Sequence, residues 1–221
     1  MVLQQAGRRD LSQEFLDAHK RQRVVAAVAR LAHERGVARV TSAQIIAQAH
    51  MARGTFYALF GTKGGCLRFA FGEAFERVFA PVRMAGEANG PWLDRVRAVL
   101  DALFAATVRE PLLAELCLVQ APSVAALSER SDGEAGVEVL AEAFRGGREA
   151  GREALGPSYQ DPAPQIEQLL ARGVLAITAT RLRQGKAAEL PGHRAELVQL
   201  IATPFLGTEK APKTSRRLEV A

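Results

Sequence analysis

Four side chains within the stretch ARGTFYALFGTKGG, residues 52–65, could do chemistry together: Arg53, Thr55, Tyr57 and Lys63. A guanidinium, a hydroxyl, a phenol and an ammonium all donate hydrogen bonds to phosphate oxygens, and Arg and Thr also reach base edges. Phe56, Leu59 and Phe60 are interleaved with them, more apolar surface than a loop exposes, while the flanking glycines do not suit the middle of a core. Phe56 and Phe60 stand four residues apart, so on a helix they share a face and can anchor it. Tyr57 falls off that face, with its ring at the rim and its hydroxyl available to a phosphate. Lys63 opens the next helix, whose first N–H groups and positive dipole end also suit an anion.

These side chains need elements to hold them. From His19 to Arg35, Val24, Val25, Val28, Leu31 and Ala32 recur at helical spacing, and Gly36 stands where a helix ends. TSAQIIAQA, residues 41–49, follows, with Thr41 as N-cap, Ser42 beside it, and Ile45 and Ile46 facing inward. A break at His50-Met51-Ala52 separates it from a brief helix ending near Gly61. Two short helices across a three-residue break, behind a longer one, have the spacing of a helix-turn-helix, with the second lying in a DNA major groove. Charge points the same way. Residues 1–63 carry ten Lys/Arg against four Asp/Glu (+6), and residues 64–221 carry nineteen against twenty (−1), so the surplus of +5 lies wholly in the first third. Positive charge confined to one small region suits a polyanion.

TSAQIIAQAHMARGTFYALFGTKGGCL resembles the signature region of the TetR family of bacterial transcriptional regulators, through Thr41, Ile45, Ala49, Gly54-Thr55-Phe56-Tyr57, Phe60 and Lys63. The resemblance covers about residues 20–70, and PFLG at 204–207 is weakly similar to the family's C-terminal ending. It implies DNA-binding residues Thr41, Ser42, Arg53, Thr55, Phe56, Tyr57 and Lys63, and a helical body for ligand binding and dimerisation. It also implies a ligand-responsive transcriptional repressor, a homodimer on a near-palindromic double-stranded operator, released from it by a small molecule. Five positions depart from the pattern: Ile46 for a small residue, His50 for a turn glycine, Ala52 for a serine cap, and Gly64-Gly65 for an acidic helix start. They suggest, as an alternative, an interaction protein of the same fold with weak or lost DNA binding.

The rest of the chain reads as helices, and no strand pattern stands out, so the fold class is all-α with about nine helices. Leu67, Ala70, Phe71, Ala74, Phe75, Val78 and Phe79 form a clean stripe that Pro81 should close or kink. Trp92, Val96, Val99, Leu100, Leu103 and Phe104 mark a further helix, ended by Pro111. LLAELCLVQAP, residues 112–122, is apolar on several sides, and the glycine-rich 123–155 reads as a weaker helix. The boundaries are a flexible arm at 1–17, a helix-turn-helix domain at 18–63, a connecting helix at 63–85, a ligand-binding and dimerisation domain at 86–206, and a disordered tail at 207–221. Apolar residues on more than one face of the last two helices suggest a second subunit, with Val174, Ile177, Leu182, Leu197 and Ile201 as interface candidates. Phe104, Cys117 and Gln120 are candidates for a pocket taking a small apolar or amphipathic ligand.

Other chemistries find little support. GTKGG lacks the upstream glycine and strand of a phosphate loop. His19, His33, His50 and His193 have no metal-ligand spacing to one another or to Cys66 and Cys117, so no metal and no cofactor are expected. Glu138 and Glu142 share a solvent face without a cleft, and no enzyme is expected. Cys66 reads as a buried filler rather than a redox group, and two distant cysteines fit a reducing compartment. With no membrane span or signal peptide in the sequence, the expected location is the cytoplasm.

Overall fold

A computed structural model describes the backbone of residues 2–120 and 132–212, with side chains from Phe15 onward outside 121–133 and 209–210. The helices are α1 (Val2–Arg35), α2 (Ser42–Gln48), α3 (Arg53–Phe60), α4 (Lys63–Gly86), α5 (Trp92–Arg109), α6 (Pro111–Glu115), α7 (Asp132–Arg145), α8 (Gly147–Leu155), α9 (Ile166–Arg183) and α10 (Arg194–Lys210). Among the described residues there is no strand, and the all-helical expectation holds. A π-helical turn, Leu116–Gln120, follows α6.

The core is continuous from end to end. Val24, Val28 and Leu31 of α1 and Ile45 of α2 join Phe56 of α3 and Leu67, Ala70 and Phe71 of α4 in one apolar cluster. The same cluster runs on through α5, α7, α9 and α10, so α4 belongs to both halves of the molecule. Pro81 neither closes nor breaks α4, which runs on to Gly86. A proline costs a helix one internal hydrogen bond. Here Val78, Phe79 and Val82 around it are all buried, and that packing holds the backbone helical across the loss. Pro111 does end α5: Glu110 leaves helical geometry (φ −131°, ψ 64°), and the proline opens α6.

Three further points refine the sequence reading. α1 reaches back to Val2, through residues expected as an arm, while α10 kinks at Gly207 (φ 70°, ψ 168°), where the tail was expected to begin, and only a short helical piece follows to Lys210; positions 213–221 lie outside the described residues. The glycine-rich stretch holds two helices, α7 and α8, and its glycines serve close packing. A Cβ at Gly147 would lie 2.7 Å from both the Phe205 ring and Trp92 Cζ2, and one at Gly151 would lie 2.4 Å from the Phe205 carbonyl oxygen. Only a missing side chain lets α8 sit this close to α10. Trp92 and Phe205 themselves meet edge to face at 5.3 Å, and the indole N–H donates to the Ala143 carbonyl at 3.3 Å.

Candidate nucleic-acid interface

The first two elements of the site are fixed by their ends. Thr41 caps α2: its hydroxyl accepts from the Gln44 N–H, while the Gln44 side chain accepts from the Thr41 N–H at 2.9 Å. This reciprocal pair satisfies two donors that the helix start leaves open. At the other end Met51 N–H donates to Ile46 O and His50 N–H to Ala47 O, both at 3.1 Å. These are the two bonds of a Schellman motif, which puts the residue after the cap into the left-handed region. That residue is His50, at φ 47°. Such a motif usually brings an apolar contact between the residues at Ile46 and Met51, and both are half-buried against the core. So the larger Ile46 has a place in this turn.

α3 presents two different sides. Phe56 is 0% exposed, its ring centroid 5.3 Å from Tyr57 and 5.4 Å from Phe60, and Phe60 meets Phe69 of α4 at 5.5 Å. Phe56 therefore cannot touch DNA; the resemblance placed it among the binding residues, and its burial makes it the anchor of the helix instead. Tyr57 is 38% exposed, with the Arg53 guanidinium 5.7 Å from its ring centroid. Arg53 and Gly54 are exposed and Thr55 half-exposed. Thr41 is exposed, but its hydroxyl is occupied by the cap, and Ser42 beside it is partly exposed. Lys63 stands at the start of α4, where Thr62 accepts the Gly65 N–H at 2.9 Å. A Cβ at Gly65 would fall 2.3 Å from the Phe60 carbonyl oxygen, which gives a steric reason for glycine there. Ala52, by contrast, offers no side-chain cap to α3. Burial pushes the Cys66 thiol up to about 12, leaving it neutral at the back of the site.

Sequence reasoning missed Arg23, which lies on α1 and reaches the α2–α3 turn. Its partner carbonyls belong to residues far along the chain, and no local pattern carried the signal.

Among the described residues, polar contacts tie the body to this domain through Val37 and His33, and to the connecting helix α4 through Arg77. Gln120 accepts the Val37 N–H at 3.3 Å, His33 Nδ1 lies 2.7 Å from a Glu115 carboxylate oxygen, and Arg77 donates to Glu110 at 3.1 Å. Of the three pocket candidates, Cys117 borders a cavity of about 200 Å³, with Phe79, Leu118, Val137, Leu175 and Ala179. Phe104 is buried in the core on α5 and Gln120 is spent on Val37, so neither lines that cavity. Of the interface candidates, Val174, Leu182, Leu197 and Ile201 are buried within the single chain and Ile177 packs half-buried against its core. The helical stripe they form is the inward one. Leu169 of α9 and Leu200 of α10 face outward instead, 60% and 53% exposed.

Residues 24–68, the span of this helix-turn-helix and the start of α4, match the model for bacterial regulatory proteins of the tetR family. Over these residues the chain is similar to the tetR family. The fold agrees over a longer span. A TetR-like transcriptional regulator from Rhodococcus sp. RHA1 superposes with a TM-score of 0.65 at 17% identity, over 83% of this chain and 94% of that one. A chain assigned to the tetR family of transcription regulators from Shewanella sp. PV-4 gives 0.61 at 19% identity, over 83% and 96%. No curated protein matches the sequence significantly. Among the described residues no group of side chains could hold a metal ion, and no helix is long and apolar enough to cross a membrane.

Proposed function

We propose that this TetR-type protein is a cytoplasmic, homodimeric transcription regulator that reads a near-palindromic operator through α3 and leaves it when a small molecule binds the body. The observation that carries the reading is the division of α3: Phe56 wholly buried, with Arg53 and Thr55 reaching solvent in the first turn and Tyr57 exposed just beyond it. An anchored helix with donors at its exposed start is what a major-groove reader needs, since its first residues lie nearest the bases. Arg53 and Thr55 contact bases or phosphates, Tyr57 and Lys63 contact phosphates, and Ser42 and the N-terminal end of α2 flank the backbone. The outward Leu169 and Leu200 support dimerisation through α9 and α10, which sets two copies of α3 about 34 Å apart on successive grooves.

Release by a ligand follows from the connections of the π-helical turn. Cys117 and Leu118 border the cavity, and Gln120 of the same turn bonds Val37 just beyond α1. An apolar or amphipathic molecule that enlarges the cavity displaces this turn, and with it the whole N-terminal domain. The test is selection of bound fragments from a random DNA pool by the purified protein, followed by affinity against salt. Enrichment of a near-palindrome with a steep salt slope is the expected result. A folded protein that enriches nothing at low salt overturns the reading and leaves the DNA-silent interaction protein in its place.

A further inference from the structure

Arg23 of α1 donates from Nε to the Ala49 carbonyl at 2.9 Å, and its Nη2 bonds the carbonyls of both Ala49 and His50. These two oxygens belong to the C-cap of α2 and the first residue of the turn, where a helix leaves carbonyls without donors and its dipole end attracts a cation. Among the described residues no other side chain bonds the backbone of the turn, and Ala52 contributes no cap to α3. His50 meanwhile holds φ 47°, a conformation that glycine takes freely and other residues keep only when their surroundings over-determine it. Phe56 fixes the middle of α3, but the direction in which its exposed start leaves the turn depends on these three residues.

We infer that Arg23 is a positioning residue for DNA reading: its guanidinium locks the left-handed turn at His50 and so sets the pose of Arg53 and Thr55. The inference rests on the reading of α3 as the DNA-binding helix. Arg23 is also a cation in the basic third of the chain, so a direct phosphate contact is the rival role, and salt separates the two. A residue that only sets geometry changes affinity equally at every salt concentration. A lost phosphate contact lowers the slope of log K against log salt by about 0.9.

The experiment measures operator affinity against salt for the wild type, R23K, R23Q, H50G and R23Q/H50G, with thermal unfolding of each by circular dichroism. R23Q is expected to weaken binding about tenfold with an unchanged slope, the effect of losing one charge-assisted hydrogen bond. R23K, which keeps the charge on a single nitrogen but loses the two-nitrogen fork, falls between. H50G alone changes little, but in the R23Q background it recovers most of the loss, because glycine holds the turn unaided. If R23Q does not fold, R23K and the double variant carry the comparison. Wild-type affinity in R23Q, a slope reduced by about 0.9, or a loss that H50G leaves untouched each overturns the inference. A wild type that enriches no operator sinks the DNA-binding reading and this inference with it; a binding wild type with equally tight R23Q sinks the inference alone.

Discussion

Phe56 and Tyr57 are neighbours on α3, yet substituting them should harm the protein in separable ways. Phe56 is fully buried and touches both Tyr57 and Phe60, so Phe56→Ala removes a core ring and leaves a cavity. Such truncations cost about 3–5 kcal/mol, a large part of a typical domain's stability. Tyr57→Phe keeps the ring, its edge-to-face contact at 5.3 Å and the Arg53 guanidinium above it, and removes only an exposed hydroxyl. Stability should then change by less than about 0.5 kcal/mol. Operator affinity should fall by about 1–2 kcal/mol, roughly 5- to 30-fold, if that hydroxyl donates to a phosphate. Because the hydroxyl is neutral, the salt slope stays constant, whereas Lys63→Ala lowers it by about 0.9. Fluorescence anisotropy on the selected operator, with a calorimetric melt beside it, measures all of this. Wild-type affinity in Tyr57→Phe would refute the phosphate contact, and a lowered melting temperature in the same variant would show that the ring's packing has been misread.

Three more outcomes follow from named contacts. Leu169→Glu and Leu200→Glu place charge on an outward face, so sedimentation should show monomers with helical content intact; persistent dimers would move the interface elsewhere. Arg148 donates to both oxygens of Glu167, at 2.6 and 3.2 Å, and Glu167 is almost fully buried. Arg148→Ala strands that carboxylate and should cost about 3 kcal/mol by denaturant unfolding, with part of it regained in Arg148→Ala/Glu167→Gln. Burial pushes the Cys66 thiol from 9.0 to about 12, so at neutral pH it is protonated whether the chain is folded or not. As pH rises from there toward 12 the unfolded chain ionises first, and stability falls by up to about 1.4 kcal/mol per pH unit. Cys66→Ser should flatten that alkaline loss, and rapid maleimide labelling of native Cys66 at neutral pH would contradict its burial.

The parts of this fold that were legible in the sequence are those whose partners lie nearby. The Thr41 cap, the break at 50–52, the end of α3 at Gly61 and the stripe of α4 all depend on residues within a few positions. What was not legible depends on distant partners. Gly147 and Gly151 look like helix weakness until Phe205 and Tyr159 stand against them. Pro81 looks like a helix stop until the packing of Val78, Phe79 and Val82 outweighs one missing hydrogen bond. The interface candidates went astray for a related reason. Periodicity finds the densest apolar stripe, and the densest stripe is the one a single chain buries. An outward face built around Leu169 and Leu200 is too sparse to register.

The departures from the family pattern follow the same rule, and that bears on whether the site still works. Taken singly, Ile46, His50 and Gly65 read as three losses. In space each has a counterpart: Ile46 packs half-buried against the core, His50 has its carbonyl held by the guanidinium of Arg23, and Gly65 meets the Phe60 carbonyl that a Cβ would strike. Ala52 has none, since no side chain caps α3. A helix-turn-helix drifting free of selection for DNA binding would accumulate changes without such counterparts. Matched departures at Ile46, His50 and Gly65 favour a turn rebuilt around different contacts, with Arg23 holding the turn's carbonyls while the first N–H groups of α3 have no side-chain cap.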